Sequence, residues 1–187
     1  MRAFLAIPLP DGARVALAAL QRDLAGSGAD VKWVEPENLH ISLKFLDEIT
    51  EAQRRQVEVV LRRVAGHEAP CRLGLNEIGA FPSVVAPRVV WVGLREGRDV
   101  VLRIAEAITQ EGAAMALPRE ERLFAAHITI GRVRSLRRRD ALAQRLRDTA
   151  WQPPATWEMT SLRLYQSDLS GSGPRYTVLA EVPLAGG

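Results

Sequence analysis

The chain has 187 residues, a formal charge of +3 and apolar residues at 47% of its positions, as expected of a globular protein with a sizeable core. A lone cysteine, Cys71, excludes an internal disulfide framework, and no apolar run approaches the roughly 18 residues that a membrane-spanning helix needs. Pro8, Pro10 and Asp11 interrupt the apolar N-terminus. This predicts a first strand and helix, not a signal peptide, and therefore a cytoplasmic protein.

Apolar periodicity and turn residues predict the elements of the first half of the chain. Val15, Leu17, Leu20 and Leu24 are expected to form the apolar face of the first helix, and Thr50 is expected to cap the second. In chain order the predicted elements are strand 2–8, helix 11–26, strands 31–34 and 39–46, helix 51–65, and strands 70–79 and 88–94.

The second half repeats this organisation, because helices and strands again alternate. The predicted elements are helix 97–112, a loop with the sequence LPREER at 117–122, strand 126–133, helix 138–149, strands 155–166 and 175–183, and a turn-rich loop at 167–174. Several neighbouring strands have no helix between them, which favours mixed or antiparallel sheets in an α+β fold. No linker divides the sequence, so one domain over residues 1–187 is predicted.

Two strands carry the same unusual pattern, a histidine followed two residues later by a hydroxyl. Because residues i and i+2 of a strand share a face, His40 and Ser42 in LHISLKFL should lie on one face. His127 and Thr129 in AHITIGRV should likewise share a face. If the two halves pack as a pseudo-two-fold pair, these faces meet across a cleft and bring two imidazoles and two hydroxyls together.

Two imidazoles suit a reaction that removes one proton and delivers another, because an unperturbed histidine titrates near pH 6.5. Hydroxyls can donate hydrogen bonds to anionic oxygens, so the set indicates acid–base phosphoryl transfer without an obligatory metal. A structural zinc site is the alternative, but it needs a third ligand, and His67, Asp47 and Glu48 are poorly placed in the sequence. Ser42 lacks the Gly-x-Ser-x-Gly turn of a serine nucleophile.

The chain resembles the bacterial RNA 2′,3′-cyclic phosphodiesterases, also called 2′-5′ RNA ligase-like or LigT-type proteins, of the two-histidine phosphoesterase superfamily. The resemblance covers nearly the whole chain and is carried by the segments RAFLAIPLP, VKWVEPENLHISLKFLDEI, GAFPSVVAPRVVWVGL, FAAHITIGRVR and LRLYQSDLSGSGPRYTVLAEVPL. It implies a bilobal α+β fold in which two antiparallel sheets face a central cleft and the helices lie outside.

The resemblance also implies a role for each motif residue. His40 would be the general acid that protonates the leaving 3′ oxygen, and His127 the general base that activates water. Ser42 and Thr129 would hold the non-bridging phosphate oxygens. Relatives commonly carry threonine at the position of Ser42. The product would be an RNA 2′-phosphate, with weak reverse 2′-5′ ligation and no metal or nucleotide cofactor.

Arg132 occupies a phosphate-binding position of the family pattern, but simple alternation places it on the face of the core residue Ile130. A buried unpaired arginine is costly, so we expect the strand to end, twist or bulge near Gly131. The same alternation places Lys44 on the cleft face with Ser42. The arginine-rich run at 134–140 is either an RNA contact or a solvated helix start.

Base stacking requires an exposed aromatic side chain. Tyr165 and Trp33 are the candidates for this role, and Phe124 is placed near the cleft mouth. Phe45 and Trp91 are predicted to be core residues.

The predicted partner is an RNA end bearing a 2′,3′-cyclic phosphate, bound by a monomer that needs no membrane. A second hypothesis is a phosphodiesterase for another small cyclic phosphate, such as ADP-ribose 1″,2″-cyclic phosphate, or for 2′-5′ oligonucleotides. A third is a non-catalytic RNA- or nucleotide-binding module on the same fold.

Overall fold

A computed structural model describes residues 1–115, 117, 124–171 and 173–185. Within these residues the chain forms nine β-strands and four α-helices. The strands are β1 (Arg2–Pro8), β2 (Val31–Trp33), β3 (His40–Glu48), β4 (Cys71–Phe81), β5 (Val89–Glu96), β6 (His127–Val133), β7 (Trp157–Met159), β8 (Ser161–Ser170) and β9 (Gly173–Pro183). The helices are α1 (Asp11–Ala25), α2 (Glu51–Gly66), α3 (Arg98–Ala114) and α4 (Arg139–Asp148).

The strands form two antiparallel sheets, which confirms the predicted α+β fold. The first sheet has the order β3-β1-β8-β9, and the second has the order β2-β6-β5-β4-β7. Helix α2 packs against β8 and β9 of the first sheet, whereas α1 packs against β6 of the second. The two histidine strands, β3 and β6, belong to different sheets and contact each other, so the histidines meet where the two sheets face one another.

One hydrophobic cluster fills the space between the sheets and their helices. Leu5 and Ile7 of β1, Leu17 of α1, and Ile128 and Ile130 of β6 are all fully buried members of it. Because every second residue of these strands enters this core, the intervening residues of β3 and β6 are left for the opposite, cleft-facing side.

The predicted helix patterns hold with one exception. Thr50 caps α2 in a reciprocal capping box, since its hydroxyl accepts from the Gln53 amide at 3.2 Å and its own amide donates to the Gln53 side chain at 2.9 Å. Val15 was wrongly assigned to the apolar face of α1, because it is 67% exposed. The buried stripe of α1 instead includes Gln21.

Most predicted bounds agree with the structure to within two residues, but the last strands differ. The predicted strand 155–166 is two strands, because β7 pairs with β4 in the second sheet and β8 pairs with β1 in the first. The loop predicted at 167–174 is mostly strand, since β8 and β9 pair as far as Ser170 and Gly173. Of the predicted LPREER loop, residues 118–122 lie outside the described part of the chain.

Candidate active site

The two motif histidines are held by the same local hydrogen bond. Nδ1 of His40 lies 2.7 Å from the carbonyl oxygen of Asn38, and Nδ1 of His127 lies 2.6 Å from that of Ala125. A carbonyl oxygen only accepts, so each Nδ1 carries a proton and donates it. Nε2 is therefore the nitrogen of each ring that can gain and lose a proton.

The two hydroxyls differ in their present partners. The Ser42 hydroxyl lies 2.9 Å from Nε2 of His40, and it donates this hydrogen bond when the imidazole is neutral. Thr129 lies opposite Trp91 in the register of β5 and β6, on the same face as His127. The sequence therefore correctly predicted that each hydroxyl shares the face of its histidine.

A β-bulge in β6 directs Arg132 to the cleft. Trp91 pairs with Thr129 and Val90 pairs with Gly131, so Ile130 is an extra residue without a partner on β5. An extra residue reverses the alternation beyond it, and Arg132 is accordingly exposed while Ile130 is buried. Of the three irregularities expected near Gly131, an end, a twist or a bulge, the structure has the bulge.

Helix α1 supports this bulge through a buried side chain. Nε2 of Gln21 donates to the carbonyl oxygens of Ile130 at 2.8 Å and Val34 at 2.7 Å. The amide of Val34 donates to the same Ile130 carbonyl at 3.0 Å. The carbonyl of the bulged residue Ile130 thus has two donors in the core, as burial requires.

A second bulge, at the corresponding point of β3, overturns two predictions. Ala6 pairs with Ser42 and Leu5 with Lys44, so Leu43 has no partner on β1. Lys44 consequently lies opposite a core residue and is 4% exposed, whereas it was expected on the cleft face. Phe45, predicted to be a core residue, is 52% exposed on the cleft side.

Burial and neighbouring charge lower the pKa of both histidines. Desolvation lowers the pKa of His40 to about 4, the Asn38 carbonyl opposes this shift, and the positive charges of Arg132 and His127 add to it. Desolvation and Arg132 also lower the pKa of His127, against the effect of the Ala125 carbonyl. Both imidazoles are therefore within electrostatic reach of one arginine, although they belong to different sheets.

An aromatic cluster packs against the His40 ring. The ring of Phe4 lies 4.8 Å from that of His40 and stacks on Tyr165 at 5.1 Å, and Tyr176 meets His40 edge-on at 5.5 Å. Tyr165 was expected to be an exposed stacking residue. It is only 8% exposed and is stacked on Phe4 within this cluster. Tyr176 is half-buried, and burial raises its pKa.

A second aromatic group lies beside His127. Phe81 is 38% exposed and meets the His127 ring at 90° and 5.2 Å, while Trp91 lies 6.2 Å from it. Trp91 was predicted to be core, but it shares the cleft face of Thr129. Its ring covers Gly79, where a Cβ atom would overlap the indole.

The prediction of Trp33 as a stacking residue is wrong. Trp33 is directed away from the cleft, since it covers Gly131 so closely that a Cβ there would lie 2.7 Å from the indole. Trp33 packs against the main hydrophobic cluster. Phe124 is half-buried against the same cluster, and its place at the cleft mouth stays a prediction.

Sequence reasoning missed Gln21, Asn38, Phe81 and Tyr176. Gln21 had a detectable signal, because it is a polar residue on the buried stripe of an amphipathic helix. Asn38 is also buried, and its side chain donates to the Pro174 carbonyl at 2.9 Å. The other two are placed by contacts between distant strands, which no local pattern encodes.

The zinc alternative required a third ligand near the two histidines. Within the described ranges no group of three or more histidine, cysteine or carboxylate side chains lies close enough together to hold a metal ion. His67 is exposed at the end of α2.

The two halves of the chain each match the same family. The sequence model described as "LigT like Phosphoesterase" matches residues 7–91 and again residues 92–176. The chain belongs to this family. His40 and His127 fall at similar distances from the start of each match, so the paired LigT-like halves correspond to the two histidine strands.

Individual relatives agree with the family assignment. The chain is 34% identical to the RNA 2′,3′-cyclic phosphodiesterase of Methanothermobacter thermautotrophicus over 95% of each chain. It is 35% identical to that of Aquifex aeolicus over 83% of this chain and 82% of the relative. A crystal structure of a Thermus thermophilus protein superposes with a TM-score of 0.83 at 29% identity, covering 100% of this chain and 99% of the other. The resemblance inferred from sequence is confirmed.

None of the helices in the described residues combines the length and apolar character needed to cross a membrane.

Replacing Gln21 by methionine should destabilise the protein by about 1–3 kcal/mol, because the partly buried Val34 carbonyl loses a donor and the buried Ile130 carbonyl keeps only the Val34 amide. Urea unfolding monitored by circular dichroism measures this loss. Gln56, which is exposed on α2, supplies the control, and Gln56→Met should change the free energy of unfolding very little. Equal losses in the two variants would contradict the role of Gln21 in holding the bulge.

Acidification should destabilise the protein through His40. Its folded pKa of about 4 lies below the unfolded value of 6.5, so the unfolded state binds the proton first as the pH falls. Stability present above pH 6.5 is then lost towards pH 4, by about 2–3 kcal/mol between pH 7 and pH 4.5. Urea unfolding at both pH values measures the fall in the free energy of unfolding. This fall should be smaller in His40→Gln than in wild type by that amount. The control variant is His67→Gln, at an exposed histidine. A loss of stability in His40→Gln as large as in wild type would refute the lowered pKa of His40.

Proposed function

We propose that this LigT-like phosphoesterase hydrolyses the 2′,3′-cyclic phosphate at RNA ends to a 2′-phosphate. The observation that carries the proposal is the convergence of two Nδ1-anchored imidazoles and Arg132 from two different sheets. The relatives named RNA 2′,3′-cyclic phosphodiesterase, at 34–35% identity over most of the chain, support the same substrate.

The two free Nε2 atoms divide the proton transfers between them. Nε2 of His127 takes a proton from water as the water oxygen forms a bond to phosphorus. The bond from phosphorus to the 3′ oxygen breaks, and Nε2 of His40 gives its proton to that oxygen. The 2′-phosphate remains on the ribose, and proton exchange with solvent resets the two imidazoles. The same steps, with an RNA 5′-hydroxyl in place of water, form a bond from the 5′ oxygen to phosphorus and release the 3′ oxygen, which gives weak 2′-5′ ligation.

A general acid must carry a proton, yet the low pKa of His40 leaves it neutral at pH 7 in the free protein. We infer that the substrate itself restores the proton. A phosphodiester anion bound between the imidazoles offsets the positive charge of Arg132, and an opposite charge within about 4–6 Å favours the protonated form. The acid is therefore formed when the substrate is bound, which limits proton loss to solvent.

The remaining groups bind the phosphate. Ser42 and Thr129 donate hydrogen bonds to its non-bridging oxygens, and the Arg132 guanidinium supplies a planar donor pair. When the substrate binds, the Ser42 hydroxyl turns from His40 to the phosphate, which frees the His40 Nε2 for the 3′ oxygen. No metal or nucleotide cofactor takes part in this scheme.

We further propose that residues 1–187 act as one bilobal unit, as a monomer, in the cytoplasm. The histidines lie on opposite sheets, so neither half of the chain holds both proton-transfer groups.

His40→Ala and His127→Ala should each lower turnover of a short RNA ending in a 2′,3′-cyclic phosphate by about 10²–10⁴-fold, because each removes one proton transfer. The assay contains excess EDTA, and ³¹P NMR determines whether the product carries a 2′- or a 3′-phosphate. His67→Ala should retain wild-type activity.

A folded wild-type protein that binds this RNA without hydrolysing it would overturn the enzyme assignment in favour of a binding module. Hydrolysis restricted to small cyclic phosphates or 2′-5′ oligonucleotides would redirect the substrate assignment. Loss of activity in EDTA would contradict the metal-independent scheme.

Phe81 should contribute a stacking surface for a nucleobase, since its half-open ring lies directly beside His127. Phe81→Ala should raise the KM of the RNA substrate by about 5- to 150-fold, the equivalent of about 1–3 kcal/mol for one stacked base. Val85, 71% exposed in the connection between β4 and β5, provides the control variant Val85→Ala. The KM of a ribose 2′,3′-cyclic phosphate without a base should not change in Phe81→Ala. An equal change for both substrates would argue against stacking.

A further inference from the structure

A run of arginines follows the second histidine strand. Arg134, Arg137, Arg138 and Arg139, here called the arginine ridge, occupy the connection between β6 and the start of α4. The first three are exposed and Arg139 is half-exposed. Leu136 within the run is 73% exposed, so the whole turn projects from the protein surface.

Unlike eight other arginines in the described part of the chain, the arginine ridge has no carboxylate partner. Among the described residues no carboxylate forms an ion pair with any of its four guanidinium groups, although Asp140 follows Arg139 in the chain and the backbone of Asp30 is hydrogen-bonded to Arg134 and Arg137. Elsewhere eight arginines form ion pairs with carboxylates: Arg14, Arg54, Arg62, Arg63, Arg72, Arg103, Arg145 and Arg163. The other described arginines without an ion pair are dispersed over strands, helices and connections. The ridge instead places four arginines within residues 134–139, so it concentrates uncompensated positive charge at one place.

The turn that carries the arginine ridge is fixed to the second sheet. The amide of Arg134 donates to the Asp30 carbonyl at 2.9 Å, and the Asp30 amide donates to the Arg137 carbonyl at 3.4 Å. The hydroxyl of Ser135 also accepts from the Arg137 amide at 3.3 Å. The arginines therefore project from an anchored backbone, which reduces the entropy lost when they bind a ligand.

The arginine ridge begins at Arg134, next to the active site, whereas its third member, Arg138, packs over Gly28 just beyond α1. Arg132, whose charge reaches both histidines, lies on the cleft face of β6 opposite Lys32 of the edge strand β2. Arg134 follows two residues later, about 7 Å further along the chain. A negatively charged polymer that enters the cleft would leave it over these guanidinium groups.

We propose that the arginine ridge binds the backbone phosphates of the RNA on the 5′ side of its cyclic end. This surface rests on the proposed function, because it presupposes a substrate that extends beyond one nucleotide. Guanidinium groups bind phosphates in a bidentate manner and are weakly hydrated. A row of them contacts successive phosphates without reading the sequence. The ridge makes the enzyme favour RNA ends over cyclic mononucleotides.

The test compares two substrates that share the same reacting group. One is adenosine 2′,3′-cyclic phosphate, and the other is an octanucleotide with the same 3′-terminal cyclic nucleotide. The ridge variant is Arg134→Gln/Arg137→Gln/Arg139→Gln. The matched control, Arg22→Gln/Arg55→Gln/Arg98→Gln, removes the same charge from exposed positions on α1, α2 and the start of α3. The free energy of unfolding of both variants is measured by urea denaturation.

The ridge variant should lower kcat/KM for the octanucleotide at least tenfold and leave that for the mononucleotide within twofold of wild type. The slope of log kcat/KM against log salt concentration for the octanucleotide should fall by about 2, from about 0.7 for each lost phosphate contact on a single strand. Equal effects on both substrates, or an equal effect of the control variant, would overturn the proposal.

Binding separates failure of this proposal from failure of the proposed function. Fluorescence anisotropy of a labelled octanucleotide ending in an uncleavable 3′-phosphate reports on the arginine ridge even if no hydrolysis occurs. Weaker binding by the ridge variant alone supports the surface; unchanged binding rejects it and leaves an acidic protein partner as the alternative. If the triple variant unfolds, Arg134→Gln and Arg137→Gln are measured singly, with Arg55→Gln as control.

Discussion

The carbonyl group of Ile130 is the point on which the geometry of the site depends. A bulged strand gives up part of its ladder, and a buried carbonyl without a donor is costly. Here the Ile130 carbonyl receives the side chain of Gln21 and the amide of Val34. Because α1 pairs this group inside the core, β6 can reverse its alternation and present Arg132 beside His127. The catalytic face is thus secured by a helix on the opposite side of the sheet.

The pseudo-two-fold repeat produces two strands with the same backbone form and different chemistry. Each has a histidine, a hydroxyl two residues on, and a bulge at the next residue. The residue that the bulge turns to the cleft is Arg132 in one strand and Phe45 in the other. One sheet thereby contributes a cation to the cleft and the other an apolar ring. In the proposed mechanism the duplicated backbone supplies two equivalent imidazoles, and the residues beyond the bulges make the two sides of the site different.

Burial of the two imidazoles beside a permanent cation has a chemical consequence. Desolvation and the charge of Arg132 both disfavour the imidazolium form, and the effect is larger for His40. The free site is therefore short of protons near pH 7, whereas acid–base catalysis needs one protonated and one neutral ring. A bound phosphate anion corrects this imbalance because it offsets the arginine charge. In the proposed mechanism, binding of the substrate anion is therefore coupled to protonation of the site.

Local patterns along the chain were enough to predict the α+β class, the paired histidines with their hydroxyls, the Thr50 cap and an irregularity near Gly131. These follow from periodicity, capping chemistry and the cost of burying an arginine. The bulge at Leu43, which exchanged the environments of Lys44 and Phe45, became visible only in the folded molecule, since no unpaired charge demanded it in advance. The same holds for Tyr165 and Trp91, whose burial and cleft position depend on cross-strand partners. Alternation reports which residues share a face only until the register shifts, and the register is set by contacts between distant strands.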